Sequence, residues 1–203
     1  MTIRLHRGDL PDLSRYTGAV AIDTETMGLN LDRDRLCVVQ LSPGDGSADV
    51  VQVQPRAADA PNLKRLLADR GLLKIFHFAR FDLATLYKTF GVMAEPVYCT
   101  RTASRLVRTY TDKHGLRELV REMLGHDLSK QLQMSDWGAT ELSDAQISYA
   151  AADVIYLHAL KERLDAMLAR EDREALAAAC FRFLPDRVRL DLAGFAEDIF
   201  AHS

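Results

Sequence analysis

The amino-acid sequence predicts an α/β fold, a mixed central sheet flanked by helices. Three observations predict it. Short apolar runs of strand length fill the first quarter, strand-like and helix-like segments alternate from residue 62, and the last third is rich in Ala and Leu at helical spacing. The chain has 203 residues, 48% apolar and 27% charged, which suits one packed domain, or one domain with an extended tail, and excludes a disordered chain.

The elements follow in order. Ala19 to Ile22 is an apolar run ending at charged residues and reads as a buried strand. Leu36 to Leu41 and Asp49 to Val53 are β-rich, and Pro43-Gly44-Asp45-Gly46 between them supplies a turn, so the pair reads as a hairpin. Asn62 to Asp69 reads as a helix with Leu63, Leu66 and Leu67 inward. Leu72 to Phe76 is a strand, Ala79 to Phe90 a helix stopped by Gly91, and Val97 to Cys99 a short strand. Arg101 to Val107 and Leu116 to Leu124 are helical around a loop at Tyr110–Gly115. Ser143 and Gln146 have capping-box spacing, and the helix they start can run to Met167. A further helical stretch reaches Leu184, where Pro185 is expected to stop it. Asp186 to Ser203 alternates through Val188, Leu190 and Leu192 and reads as strand-like or extended.

Charge and cysteine usage narrow the function classes. The net charge of -3 argues against wrapping long duplex DNA, so any nucleic-acid contact should be local and short. Cys37, Cys99 and Cys180 are scattered and form no zinc pattern, which fits free thiols in a reducing compartment. No apolar run approaches ~20 residues, and Met1 to Leu13 lacks the apolar core of a secretory signal. A cytoplasmic enzyme without a membrane anchor is the expectation.

The candidate chemistry is carried by carboxylates. Asp23 and Glu25 lie two apart at a strand end, so both project from one face. Side by side they repel unless a cation lies between them, and Mg²⁺ prefers oxygen ligands. A solvated turn is the alternative reading. Tyr149 and Asp153 are spaced i, i+4 on one helix face, with three alanines between them that let the helix approach the sheet. Asp82 lies near a helix start, a position that also suits the helix dipole.

These residues carry a resemblance. Asp23-Thr24-Glu25-Thr26-Met27-Gly28-Leu29 resembles the first motif of the DEDD exonuclease superfamily. His77 to Asp82 resembles the second motif in its ribonuclease D form, and Tyr149 to Asp153 the third motif of the DEDDy branch. The segment from Lys130 to Trp137 resembles the one that precedes that third motif. Over nearly the whole chain, the His6–Pro11 start, the Tyr110–Leu116 loop and the Asp198–Ser203 end are similar to the nanoRNase C family of oligoribonucleases.

The resemblance implies a ribonuclease H-like DEDD exonuclease fold over residues 1–185 and no HRDC domain. The apolar content of the tail over 186–203 calls for a covering surface, either its own domain or a partner copy, and the resemblance favours an interface. It implies a 3′-5′ exoribonuclease of very short RNA, with two divalent ions, Mg²⁺ or Mn²⁺, held by Asp23, Glu25, Asp82 and Asp153. Tyr149 would orient the attacking water, with acceptance of its proton as the alternative. Substrate contacts would come from Thr24, Leu29 as a wedge under the terminal base, His77 and Phe78. The basic stretch with Arg101, Arg105 and Arg108 on one helix face, then Tyr110 and Lys113, either meets a terminal phosphate or is a solvated face pairing in part with Glu118 and Glu122. The partner would be short single-stranded RNA, or DNA, and the assembly a homo-oligomer, an octamer. A ribonuclease D-like trimmer of longer RNA and an inactive nucleic-acid-binding scaffold are the competing expectations.

Overall fold

A computed structural model describes residues 2–55, 59–129, 132, 135–195 and 197–202. Six strands form one sheet: β1 (Thr2–Arg7), β2 (Ala19–Thr26), β3 (Leu36–Ser42), β4 (Ser47–Gln52), β5 (Leu73–Phe76) and β6 (Val97–Cys99). Their order is β1-β4-β3-β2-β5-β6. β2, β3 and β4 form an antiparallel meander, while β1 joins β4, and β5 and β6 extend from β2, in parallel. The sheet is therefore mixed.

Helices cover both faces. α1 (Pro61–Ala68), α2 (Ala79–Phe90) and α7 (Glu174–Leu192) pack on Val20, Ile22, Val39 and Leu41. α3 (Thr100–Val107), α5 (Asp144–Ile155) and α6 (Leu157–Arg170) pack on Ala21, Val38, Val50 and Ile75. Alternate residues of one strand thus serve opposite cores, which is why β3 and β4 are buried at every position. α4 (Leu116–Leu119) continues into a π-helical turn at Val120–Leu124.

Several local signals act as the sequence predicts. Gly91 takes φ 71° and ends α2. The Ser143 hydroxyl accepts from the Gln146 amide while the Gln146 side chain accepts from Ser143 N–H, a closed capping box that fixes the start of α5.

Four expectations are corrected. β1 was not foreseen; buried Asp49 on β4 anchors it through His6 at 2.8 Å, and also accepts from Arg15 at 2.6 Å and from the Tyr16 hydroxyl at 2.7 Å. The long helix expected from Leu142 is two helices, broken at Tyr156 (φ -91°, ψ -7°). Pro185 does not stop its helix but sits buried inside α7. Asp186 to Leu192 is accordingly helical, not strand-like, so no break falls at the expected boundary of residue 185. Phe181, Leu184, Val188 and Leu192 form a helical stripe on the core, and the Arg80 guanidinium grips Asp191 through two bonds of 2.5 and 2.6 Å. That packing offsets the hydrogen bond the proline removes. Of the Lys130–Trp137 segment, Lys130, Gln131, Gln133 and Met134 lie outside the described residues.

Candidate active site

The site forms where the end of β2 meets α5. Asp23 and Glu25 alternate onto the face of β2 that α5 covers. α5 comes close because Ala150 and Ala151 are fully buried against the sheet. This brings Asp153 to β2, and the carboxylates of Asp23, Glu25 and Asp153 each offer an oxygen within 4.8 Å of the others. A register shift between Glu25 and Thr26 ends the regular pairing there.

The electrostatics are those of a site built for a cation. Burial pushes the Asp23 carboxyl up to about 7. Burial, then the charges of Asp23, Asp153 and Asp82, push Glu25 up to about 9. Asp153 is also raised, by burial and by Asp23. Three converging hard oxygen donors that resist ionisation on their own fit a divalent ion, whose charge would hold them all ionised.

Asp82 lies in the first turn of α2, buried, and is raised by burial and by the Asp23 charge. It stands outside the group of three and is held by the Thr24 hydroxyl, which donates at 2.6 Å. Thr24 was expected to touch substrate. Its side chain instead points to the opposite face of β2, is 7% exposed, and is committed to Asp82.

Tyr149 shares its helix face with Asp153. Burial, then Asp153, Glu25 and Asp23, raise its phenol further above the ordinary tyrosine value, so it stays protonated at neutral pH. The Trp137 ring packs against it at 6.0 Å between centroids. Trp137 itself is buried, in keeping with a packing role.

The remaining expected contacts fall into two groups. Leu29 is 83% exposed and so is no core residue. Phe78 is half exposed in a left-handed conformation at the start of α2, with the Arg101 guanidinium 4.7 Å from its ring centroid. His77 faces Thr100 Oγ1 at 2.9 Å, and burial with the Arg101 charge lowers it to about 3, so the ring is neutral.

Arg108 is placed against expectation. It is 1% exposed, pairs with Glu122, and donates to the Lys113 carbonyl at 2.7 Å. It braces the loop that presents Tyr110, 75% exposed, and exposed Lys113. Helical spacing places Arg101 and Arg108 on one face without saying which end is buried. Sequence reasoning also missed Gln40, which lies opposite Asp23 in the β2–β3 register.

The profile of the 3′-5′ exonuclease family matches residues 10–169. Ribonuclease D of Acidiphilium cryptum is 38% identical over 154 residues, 76% of this chain and 39% of its own. DNA polymerase I of Aquifex aeolicus is 36% identical over 75% of this chain and 25% of its own. The chain thus spans about two fifths or less of these curated relatives. The Brucella melitensis NrnC structure with bound Mg²⁺ superposes over 100% of both chains, with TM-score 0.96 and 58% identity. The same protein bound to pGG gives TM-score 0.97 and 60% identity, again over 100% of both. With the family profile covering most of its length, this chain belongs to the 3′-5′ exonuclease family, in the branch of ribonuclease D and NrnC.

Proposed function

We propose that this chain is a metal-dependent 3′-5′ exoribonuclease that degrades very short RNA oligonucleotides, dinucleotides among them, to nucleoside 5′-monophosphates. The observation that carries the reading is the convergence of Asp23, Glu25 and Asp153 within 4.8 Å. The end-to-end likeness to NrnC, solved with Mg²⁺ and with pGG, supports the substrate class.

Asp23, Glu25 and Asp153 would hold one divalent ion, Mg²⁺ or Mn²⁺, and Asp23 with Asp82 a second. When bound, such ions lower the pKa of water and stabilise charge on the attacking and leaving oxygens of the displacement. Water attacks phosphorus, the bond to the 3′-oxygen breaks, and that oxygen leaves with a proton. Tyr149, on the same helix face as Asp153, would orient the water by hydrogen bonding. Thr24 fixes the Asp82 carboxylate. Leu29 and Phe78 offer exposed apolar faces to bases, and one stacked base contributes ~1–3 kcal/mol. Neutral His77, next to Phe78 in the chain, would line the same pocket. Tyr110 and Lys113, on the loop braced by Arg108, would meet a terminal phosphate.

A short substrate, bound at few points, also suits the mild net charge. The exposed Leu176, Phe183, Phe195, Ile199 and Phe200 support a homo-oligomer, which we take to be an octamer. Among the described residues no helix is long and apolar enough to cross a membrane, and we place the enzyme in the cytoplasm.

The deciding experiment incubates the full chain with Mn²⁺ and with RNAs and single-stranded DNAs of two to about twenty nucleotides, a range that bounds the short single strands such sites accept. A strong rate preference for RNA dinucleotides is expected. Equal or faster trimming of long RNA would favour ribonuclease D-like 3′-end processing, the reading its curated relatives support.

A further inference from the structure

Gln40 lies in the middle of β3 with 0% exposure. Its register partners are Asp23 on β2 and Val50 on β4. Residues directly opposed on antiparallel strands project from the same face, with Cβ atoms ~4.5–5.5 Å apart. Gln40 therefore stands beside Asp23, under the helix that carries Tyr149 and Asp153.

Neither the oxygen nor the nitrogen of its carboxamide has a hydrogen-bond partner among the described residues. An amide buried without partners destabilises a fold. Its neighbours on the same face, Val38 and Val50, are apolar and fully buried. A leucine or methionine at position 40 would fill the same space without that penalty. By contrast, the nearby Gln52 nitrogen donates to the Ala139 carbonyl at 2.8 Å, so its amide has a structural use. The amide of Gln40 has its use in the site it borders.

We propose that Gln40 is a positioning residue for Asp23, its carboxamide donating through one enclosed water to the Asp23 carboxylate and holding it in its ligating orientation. The inference rests on the metal-site reading above. Partners behind a metal ligand typically contribute ~10–100-fold in metal affinity. The amide also supplies a donor where the surrounding groups are carboxylates, which only accept once ionised.

The test is Gln40→Met in the full chain, read by Mn²⁺ titration calorimetry and by melting without metal. We expect Mn²⁺ binding to weaken ~10–100-fold while the metal-free Tm is unchanged or raised. We expect kcat at limiting Mn²⁺ to fall and to recover with excess Mn²⁺, with KM for a dinucleotide unchanged. Mn²⁺ affinity within about twofold of wild type would overturn the proposal, far below the loss expected of such a partner. So would a metal-free Tm several degrees lower, because the amide would then be serving the core. If Gln40→Met does not fold, Gln40→Asn retracts the same amide by one methylene and must weaken Mn²⁺ binding likewise; wild-type affinity there overturns the proposal. Asp153→Asn in the same titration separates the two readings. Wild-type affinity in that variant sinks the metal site itself, whereas loss there but not in Gln40→Met sinks only the role of Gln40.

Discussion

Replacing Asp153 by Asn removes one of three charges that the fold forces together. Its carboxylate offers an oxygen within 4.8 Å of oxygens from Asp23 and Glu25. At that separation and an effective dielectric of ~20, two full charges repel by about 3 kcal/mol. Burial keeps part of this charge protonated in the metal-free protein, so the relief amounts to about 1–3 kcal/mol. In a domain of this size ~1 kcal/mol moves the melting temperature by about 2–4 °C. Metal-free Asp153→Asn should therefore melt about 3–9 °C above wild type. The same substitution removes a proposed metal ligand, so Mg²⁺ should raise the Tm of wild type and leave that of the variant nearly unmoved. Dinucleotide hydrolysis should fall by about 10²–10³-fold or more. Scanning fluorimetry in EDTA and in Mg²⁺, beside the hydrolysis assay, reads all of this. A metal-free variant melting at or below wild type would refute the electrostatic reasoning even if activity were lost.

Three further outcomes follow from the same structure. In metal-free protein the folded-state values of Asp23 and Glu25 stand at about 7 and about 9, above their ordinary 3.8 and 4.5. Between those limits the folded chain holds protons that the unfolded chain has released, so stability falls as pH rises. Tm in EDTA should drop by several degrees from slightly acid to slightly alkaline pH, and Mg²⁺ should flatten the slope; a level profile in EDTA contradicts the shifts. Leu29→Ala should raise KM about tenfold through lost stacking. Its Tm should stay put, since Leu29 is 83% exposed, and a lower Tm with unchanged KM would count against the wedge. Arg108→Met removes the partner of Glu122 and the donor to the Lys113 carbonyl, at about 2–3 kcal/mol and about 5–10 °C. A normal Tm with a raised KM would instead return Arg108 to the substrate.

Periodicity made much of this legible. Strand alternation placed Asp23 beside Glu25, and helical spacing placed Tyr149 beside Asp153, both as observed. The same alternation turns Thr24, between them, to the other core, but it could not say that Thr24 would hold Asp82 there. Nor could periodicity rank Arg101 and Arg108, because burial at position 108 depends on Glu122 in the π-helical turn. β1 escaped notice because, at the sheet edge, its residues are exposed or half-buried and only Ile3 and Leu5 alternate with polar neighbours. In α7 the alternation of Val188, Leu190 and Leu192 masked the longer stripe from Phe181 through Leu192, and Pro185 reinforced the error. Tertiary packing outweighed a local breaker there.

The grip of Arg80 on Asp191 has a practical consequence. Arg80 and Asp82 share the first turn of α2, while Asp191 belongs to α7, beyond the residues the family profile matches. β1 likewise lies outside that match yet completes the sheet. A version of the protein cut back to residues 10–169 would retain Asp23, Glu25, Asp82, Tyr149 and Asp153 in its sequence and lose the clamp on the turn that aims Asp82. The matched segment is thus shorter than the folded unit: the final helix is a remote fastening for the turn that carries Asp82, a proposed metal ligand, and a fusion that disturbs it is expected to slow hydrolysis.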